Sequence, residues 1–287
     1  MAGDMPFPPS LARALAAALL SEEELGRLDQ LHFRDAGHGY DAFGMHPSFI
    51  ALGEAVSNPL YKRWFRVISR GHEHIPTTGP AVIAANHSGN IPLDGMMMWA
   101  DILKNTDPPR VTRAVADHFV PALPFVGTLF ARSGMVGGSR GNARALLEAG
   151  EMLMIFPEGT PGIVKPFAKR YQLQKFRVGH TELAIRHGAP VVPVGVIGAE
   201  EQMPQLLVSR RLGKPLGVPE VPIPASLIPL PVRYRIFYGP PIPVHEDYTP
   251  EQADDPDVLK EAAERVKAAV NELIQEGLAE RGGRIFA

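Results

Sequence analysis

At 287 residues the chain is long enough to bury a full apolar core in one or two domains without covalent staples. It carries no cysteine, which excludes disulfides, thiolate metal sites and a cysteine nucleophile together. The formal charge of −2 gives no sign of a nucleic-acid binder, and no apolar run reaches the roughly 18–20 residues a membrane-spanning helix needs.

In chain order, the start Met-Ala-Gly-Asp-Met-Pro lacks the basic n-region of a signal peptide, so a soluble or membrane-peripheral protein is expected. Residues 10–32 predict two helices: Leu11 to Leu20 is rich in Ala and Leu, and Ser21-Glu22-Glu23-Glu24 is a capping-box pattern for the second. Gly37, Gly39 and Gly44 mark 33–46 as loop. Ser48 to Val56 and Leu60 to Ser69 are predicted helices parted by Asn58-Pro59. Strand and helix then alternate: strands near 81–86, 110–116, 134–137, 152–156 and 190–197, with helices near 93–104, 124–132, 141–149 and 178–187 between them. That order predicts an α/β fold, a central mixed sheet flanked by helices. The prolines of Lys214 to Val232 exclude an interior helix or central strand there. A last strand near 232–238 and a charged terminal helix over 251–280 complete the chain. The expected organisation is an N-terminal helical extension over 1–70 and an α/β domain over 71–287.

Two strand ends carry chemistry. Ala81-Val82-Ile83-Ala84-Ala85 runs into Asn86-His87-Ser88-Gly89, and six residues separate the histidine from Asp94. A His backed by a carboxylate is a general base held in one tautomer. The second end is Met152 to Phe156, which runs into Pro157-Glu158-Gly159-Thr160. From Gly159 to Thr181 there is no acidic residue, while Lys165, Lys169, Arg170, Lys175 and Arg177 are basic, a stretch that would steer phosphates or anionic headgroups. No His/Asp/Glu cluster has metal-ligand spacing.

Asn-His at one strand end and Phe-Pro-Glu-Gly-Thr at another resemble the glycerolipid acyltransferase superfamily, whose best-known members are the lysophosphatidic acid acyltransferases, and the stretch Gly162 to Val178 looks closer to its mono- and diacylglycerol acyltransferase-like bacterial branch. Gly134 to Arg140 and Ala189-Pro190-Val191-Val192-Pro193-Val194 are similar to that family's second and fourth blocks, in the family's order. The resemblance implies a glycerol-phosphate acyltransferase-like sheet. It also implies a His87 base oriented by Asp94, and a substrate site built from Glu158, Gly159, Thr160, Arg140 and Lys165. It implies acyl-CoA or acyl carrier protein as donor co-substrate with no further cofactor, a glycerolipid hydroxyl as acceptor, and work at the cytoplasmic membrane face. Two departures stand out. The family usually places four residues between the His and the Asp, and it usually has an Arg where this chain has Pro161.

Each reading has a plainer rival. His87 alone fits a structural strand-end histidine, Asp94 a helix cap, Glu158 a solvated turn carboxylate, and the basic residues a solvated face. Gly137-Gly138-Ser139-Arg140-Gly141 also fits the Gly-x-Ser-x-Gly nucleophile elbow, which would make the protein a serine esterase through Ser139. A thioesterase using His87 and water, and a lipid-binding protein without catalysis, complete the alternatives. Membrane contact is expected from the helix pair around Leu11 to Leu31 or from the apolar residues of Leu216 to Val232, preceded by Arg210, Arg211 and Lys214.

Overall fold

The computed structural model describes residues 8–88, 91–116, 126–209 and 221–284. Gly89, Asn90, the basic residues Arg210, Arg211 and Lys214, and the first part of the proline-rich stretch lie outside them. Seven strands form one sheet: β1 (Ile68–Arg70), β2 (Ala81–Ala85), β3 (Thr112–Ala116), β4 (Val136–Gly137), β5 (Met152–Ile155), β6 (Val191–Ile197) and β9 (Arg235–Tyr238). Their order is β1-β9-β6-β2-β5-β3-β4, all neighbours parallel except β6 and β9. Two more strands, β7 (Gln205–Ser209) and β8 (Val221–Pro224), pair antiparallel as a separate hairpin.

The central strands are apolar throughout because helices cover both faces. All five residues of β2 are buried. The two-residue side-chain period divides them between two cores. Ala81, Ile83 and Ala85, with Met152, Met154, Val192, Val194 and Val196, meet the helices α1 (Pro9–Leu19), α2 (Glu22–Leu28), α3 (Pro47–Pro59) and α4 (Leu93–Asn105). Val82, Ala84, Leu153 and Val191 face α6 (Arg140–Glu148), α8 (Gly179–Arg186) and the terminal helix α10 (Pro256–Arg281). The short helix α5 (Val126–Arg132) precedes β4.

The predicted helix over 60–69 is the main difference from expectation. Pro59 leads instead into one wide turn over Leu60–Trp64, and Ile68–Arg70 then pairs as edge strand β1 with β9. Three residues are too few to show a two-residue period, and the partner strand lies more than 160 residues away. Residues 8–70 therefore share both core and sheet with the rest. The β7–β8 hairpin was not expected from the sequence; Pro222 and Pro224 are accommodated because it is a two-stranded ribbon with open edges.

Candidate active site

β2 occupies the middle of the sheet, and its carboxyl end delivers Asn86 and His87. Asn86 fixes the exit: its side-chain amide donates to the Val196 carbonyl at 2.9 Å and its oxygen accepts from the Val196 amide at 2.8 Å. The strand end is thus clamped to β6 just before the histidine.

Asp94 lies in the first turn of α4 and is fully buried. Its Oδ2 is 2.8 Å from His87 Nδ1 and accepts from the Ser88 amide at 2.9 Å, while Oδ1 accepts from the Gly95 amide at 2.8 Å. The longer six-residue spacing therefore still returns the carboxylate to the imidazole. Because an ionised carboxylate only accepts, Nδ1 carries the proton and Nε2 presents its lone pair. Nε2 has no partner among the described residues, and the side chain keeps 13% of its surface exposed. The Phe156 ring stacks on the imidazole at 4.1 Å and 18°, fixing its plane.

Glu158 follows β5 and reaches the same loop. Its Oε1 accepts from the His87 amide at 3.0 Å and its Oε2 from the Gln174 amide at 2.7 Å. The residue is fully buried, so its carboxylate braces the histidine loop and does not face solvent as a turn carboxylate would. Gly159 adopts φ +59°, a left-handed conformation that lets the chain turn into the short helix α7 (Thr160–Ile163). Close packing demands glycine at 162 too: a Cβ there would stand 2.9 Å from Glu158 Cβ and 3.1 Å from the His87 carbonyl oxygen. Thr160, Pro161, Val164, Pro166, Lys169 and Gln174, with Lys165 beneath, line a recess of about 360 Å3 beside this loop.

Lys165 corrects the sequence reading. It is buried and ion-paired, not a surface cation awaiting phosphate. Its ammonium lies 3.0 Å from Glu200 Oε1 and 3.7 Å from Glu158 Oε2, and it donates to the Gln172 carbonyl at 3.3 Å. Glu200, on the turn of helix α9 (Ala199–Gln202) after β6, also accepts from the Tyr171 amide at 3.0 Å. Burial pushes its carboxyl up to about 7, against the pull of Lys165. Lys165 thus ties the loop after β5 to the loop after β6. No local pattern announces a partner 35 residues away, so Glu200 was missed.

Arg140 stays at the start of α6, 87% exposed, with one ion pair to Glu182 at 3.5 Å. Ser139 is the N-cap of that helix, its hydroxyl accepting from the Asn142 amide at 3.0 Å. No histidine is among its hydrogen-bond partners in the described residues, so the Gly-x-Ser-x-Gly match is a helix cap and not a nucleophile elbow.

The sequence pattern of the Acyltransferase family matches residues 66–197. An uncharacterized protein of Mycobacterium tuberculosis is 36% identical over 262 residues, spanning 87% of this chain and 72% of that one. The DGAT1/2-independent enzyme synthesizing storage lipids of Homo sapiens is 29% identical over 216 residues, 74% of this chain and 62% of its own length. In fold the chain is similar to the crystal structure of the 1-acyl-sn-glycerophosphate (LPA) acyltransferase PlsC of Thermotoga maritima. The TM-score is 0.50 and the identity 17%, over 91% of this chain and 95% of that one.

Proposed function

We propose that the chain is an acyltransferase of the glycerolipid type and that it transfers a fatty acyl group from acyl-CoA or an acyl carrier protein to a hydroxyl of a glycerolipid. The observation that carries the reading is the 2.8 Å contact of Asp94 with His87 Nδ1, which leaves Nε2 as the basic nitrogen at a strand end in the middle of the sheet. Nε2 takes the proton of the acceptor hydroxyl as its oxygen attacks the thioester carbonyl. The C–O bond forms, the C–S bond breaks, and the imidazolium returns the proton to the departing thiolate. Asp94 holds the Nδ1–H tautomer and stabilises the imidazolium; no covalent acyl-enzyme is formed. Glu158 acts through position, hanging the His87 amide at 3.0 Å.

The acceptor is a lysophospholipid or an acylglycerol, reached at a membrane surface. No helix among the described residues is long and apolar enough to cross a membrane. Leu11, Leu15 and Leu19 form an exposed stripe on α1, and Leu227 and Ile228 are 86% and 70% exposed in the loop after β8. These two surfaces fit shallow interfacial contact.

The test is mass spectrometry of products after incubation with an acyl-CoA and a panel of lysophosphatidic acid, monoacylglycerol and diacylglycerol. A new ester is the expected result. Free fatty acid in place of ester would make the protein a thioesterase or esterase, and neither product would leave a lipid-binding protein.

A further inference from the structure

The basic stretch between residues 159 and 181 divides sharply once the side chains are placed. Lys165 is buried between Glu158 and Glu200. Arg170 pairs with Glu201 at 3.7 Å and lies over the Phe167 ring at 4.6 Å. Lys175 is exposed and touches none of the site residues through any hydrogen bond or ion pair among the described residues. Arg177 is different. Its guanidinium lies flat against Gly159: carbon and both terminal nitrogens come within 3.0–3.2 Å of where a Cβ on that residue would stand. Its backbone is tied to the same loop, the Arg177 amide donating to the Pro157 carbonyl at 2.9 Å. Among the described residues no carboxylate pairs with it, and the residue is exposed.

We propose that Arg177 is a phosphate-binding residue of the active site. This rests on the acyl-transfer reading above. Gly159 adjoins Glu158, whose carboxylate holds the His87 amide, so the guanidinium sits one residue from the strut of the general base. Glu182, the carboxylate nearest in sequence, pairs with Arg140 and Arg186, and the two buried carboxylates of the adjoining loops are also committed. Glu158 is fully buried with its oxygens committed to His87, Gln174 and Lys165, and Glu200 is committed to Lys165 and Tyr171. A planar cation with five donors, held against the loop that carries Glu158 and without a carboxylate partner among the described residues, is suited to bidentate capture of phosphate. Glycine at 159 gives the guanidinium its close seat: a Cβ there would push it back by a few tenths of an ångström. The phosphate belongs either to the coenzyme A donor or to the headgroup of a phosphorylated acceptor.

Equilibrium binding separates these sources and does not depend on turnover. Coenzyme A and lysophosphatidic acid are titrated separately into wild type, Arg177→Ala, Arg177→Lys and Lys175→Ala, with monoacylglycerol as the phosphate-free control. Arg177→Ala is expected to weaken one of the two phosphate ligands about 10- to 100-fold, the scale of one charge-assisted pair. Arg177→Lys restores part of the loss, while Lys175→Ala and the monoacylglycerol titration stay unchanged. A loss confined to coenzyme A assigns the donor phosphates, and one confined to lysophosphatidic acid assigns the headgroup. Binding of both phosphate ligands within twofold of wild type in Arg177→Ala overturns the proposal, as does failure of the wild type to bind either. Product analysis decides acyl transfer separately: ester formation that survives with unchanged phosphate-ligand binding would sink Arg177 and leave the reaction standing.

Discussion

Helix α4 carries two buried aspartates seven residues apart, and each meets a histidine. Asp94 meets His87 at 2.8 Å, and Asp101 meets His72 at 3.3 Å. Exposure does not distinguish them, since His72 is the more open at 24% against 13%. The company of the carboxylate does. Among the described residues Asp94 accepts from the imidazole and otherwise only from two backbone amides. Asp101 is the hub of a knot: it accepts from the hydroxyls of Tyr61, Ser69 at 2.6 Å and Tyr238 at 2.7 Å, and from the Asn105 amide at 3.0 Å. Burial first, and the Asp101 charge second, push the Tyr61 and Tyr238 phenols up, so both remain protonated donors. His72 Nε2 is shared with Ser69 Oγ at 3.0 Å and adds little to a satisfied carboxylate. The first pair polarises one imidazole at the middle of the sheet; the second fastens α4 to edge strand β1 and its neighbour β9. A His–Asp contact is a site only when the histidine is the carboxylate's main client and its far nitrogen is open.

The contrast can be broken most forcefully at Asp94. Asp94→Asn is expected to lower kcat by about 10²–10⁴-fold, since an amide no longer enforces the Nδ1–H tautomer. KM should move little and the circular dichroism spectrum should match wild type. An equal effect on kcat from Asp101→Asn would erase the distinction. Asp101→Ala should instead strand the hydroxyls of Tyr61, Ser69 and the buried Tyr238 and cost about 3–5 kcal/mol in urea unfolding, with kcat/KM of the folded fraction near wild type.

His180 sharpens the comparison as a histidine with no carboxylate at all. It is buried in α8, its Nδ1 donating to the Arg177 carbonyl at 2.7 Å, and burial pushes its pKa down to about 4. Below pH 6.5 the unfolded chain binds a proton that the folded chain refuses until about pH 4. Its contribution is therefore whole above pH 6.5 and is lost as the pH falls toward 4, in all about 3 kcal/mol. Unfolding free energies measured from pH 7 to 4 should fall less steeply for His180→Phe than for wild type by about that amount. Parallel curves would contradict the assignment. The smallest effect belongs to His72→Ala, expected within about 1 kcal/mol of wild-type stability and without change in turnover, because Asp101 keeps its four other donors. A tenfold fall in kcat would make the second pair part of the site.

Much of this was legible in the sequence, and the reason is locality. Strands β2, β5 and β6 announced themselves as short apolar runs because helices bury both of their faces. His87 and Asp94 were legible because seven residues of one loop and one helix turn bring them together. What escaped were partners brought by topology. Ile68 and Ser69 read as the end of a helix because the pairing of Ile68–Arg70 with β9 is invisible in three residues. Lys165 read as a surface cation because Glu158 and Glu200 flank it only once the loops after β5 and β6 meet. The basic stretch looked uniform in sequence, and only Gly159, bare of a side chain, shows why Arg177 is set apart from Lys175.

The most direct test of the account is the rate of ester formation by His87→Ala, measured beside wild type at saturating acyl-CoA and acceptor, on protein whose unfolding midpoint is unchanged. The account expects a fall of about 10²–10⁴-fold, the scale of one lost general base. Turnover within a few-fold of wild type would mean that another group takes the acceptor proton, and the pair on α4 that faces the middle of the sheet would be as structural as the one that faces its edge.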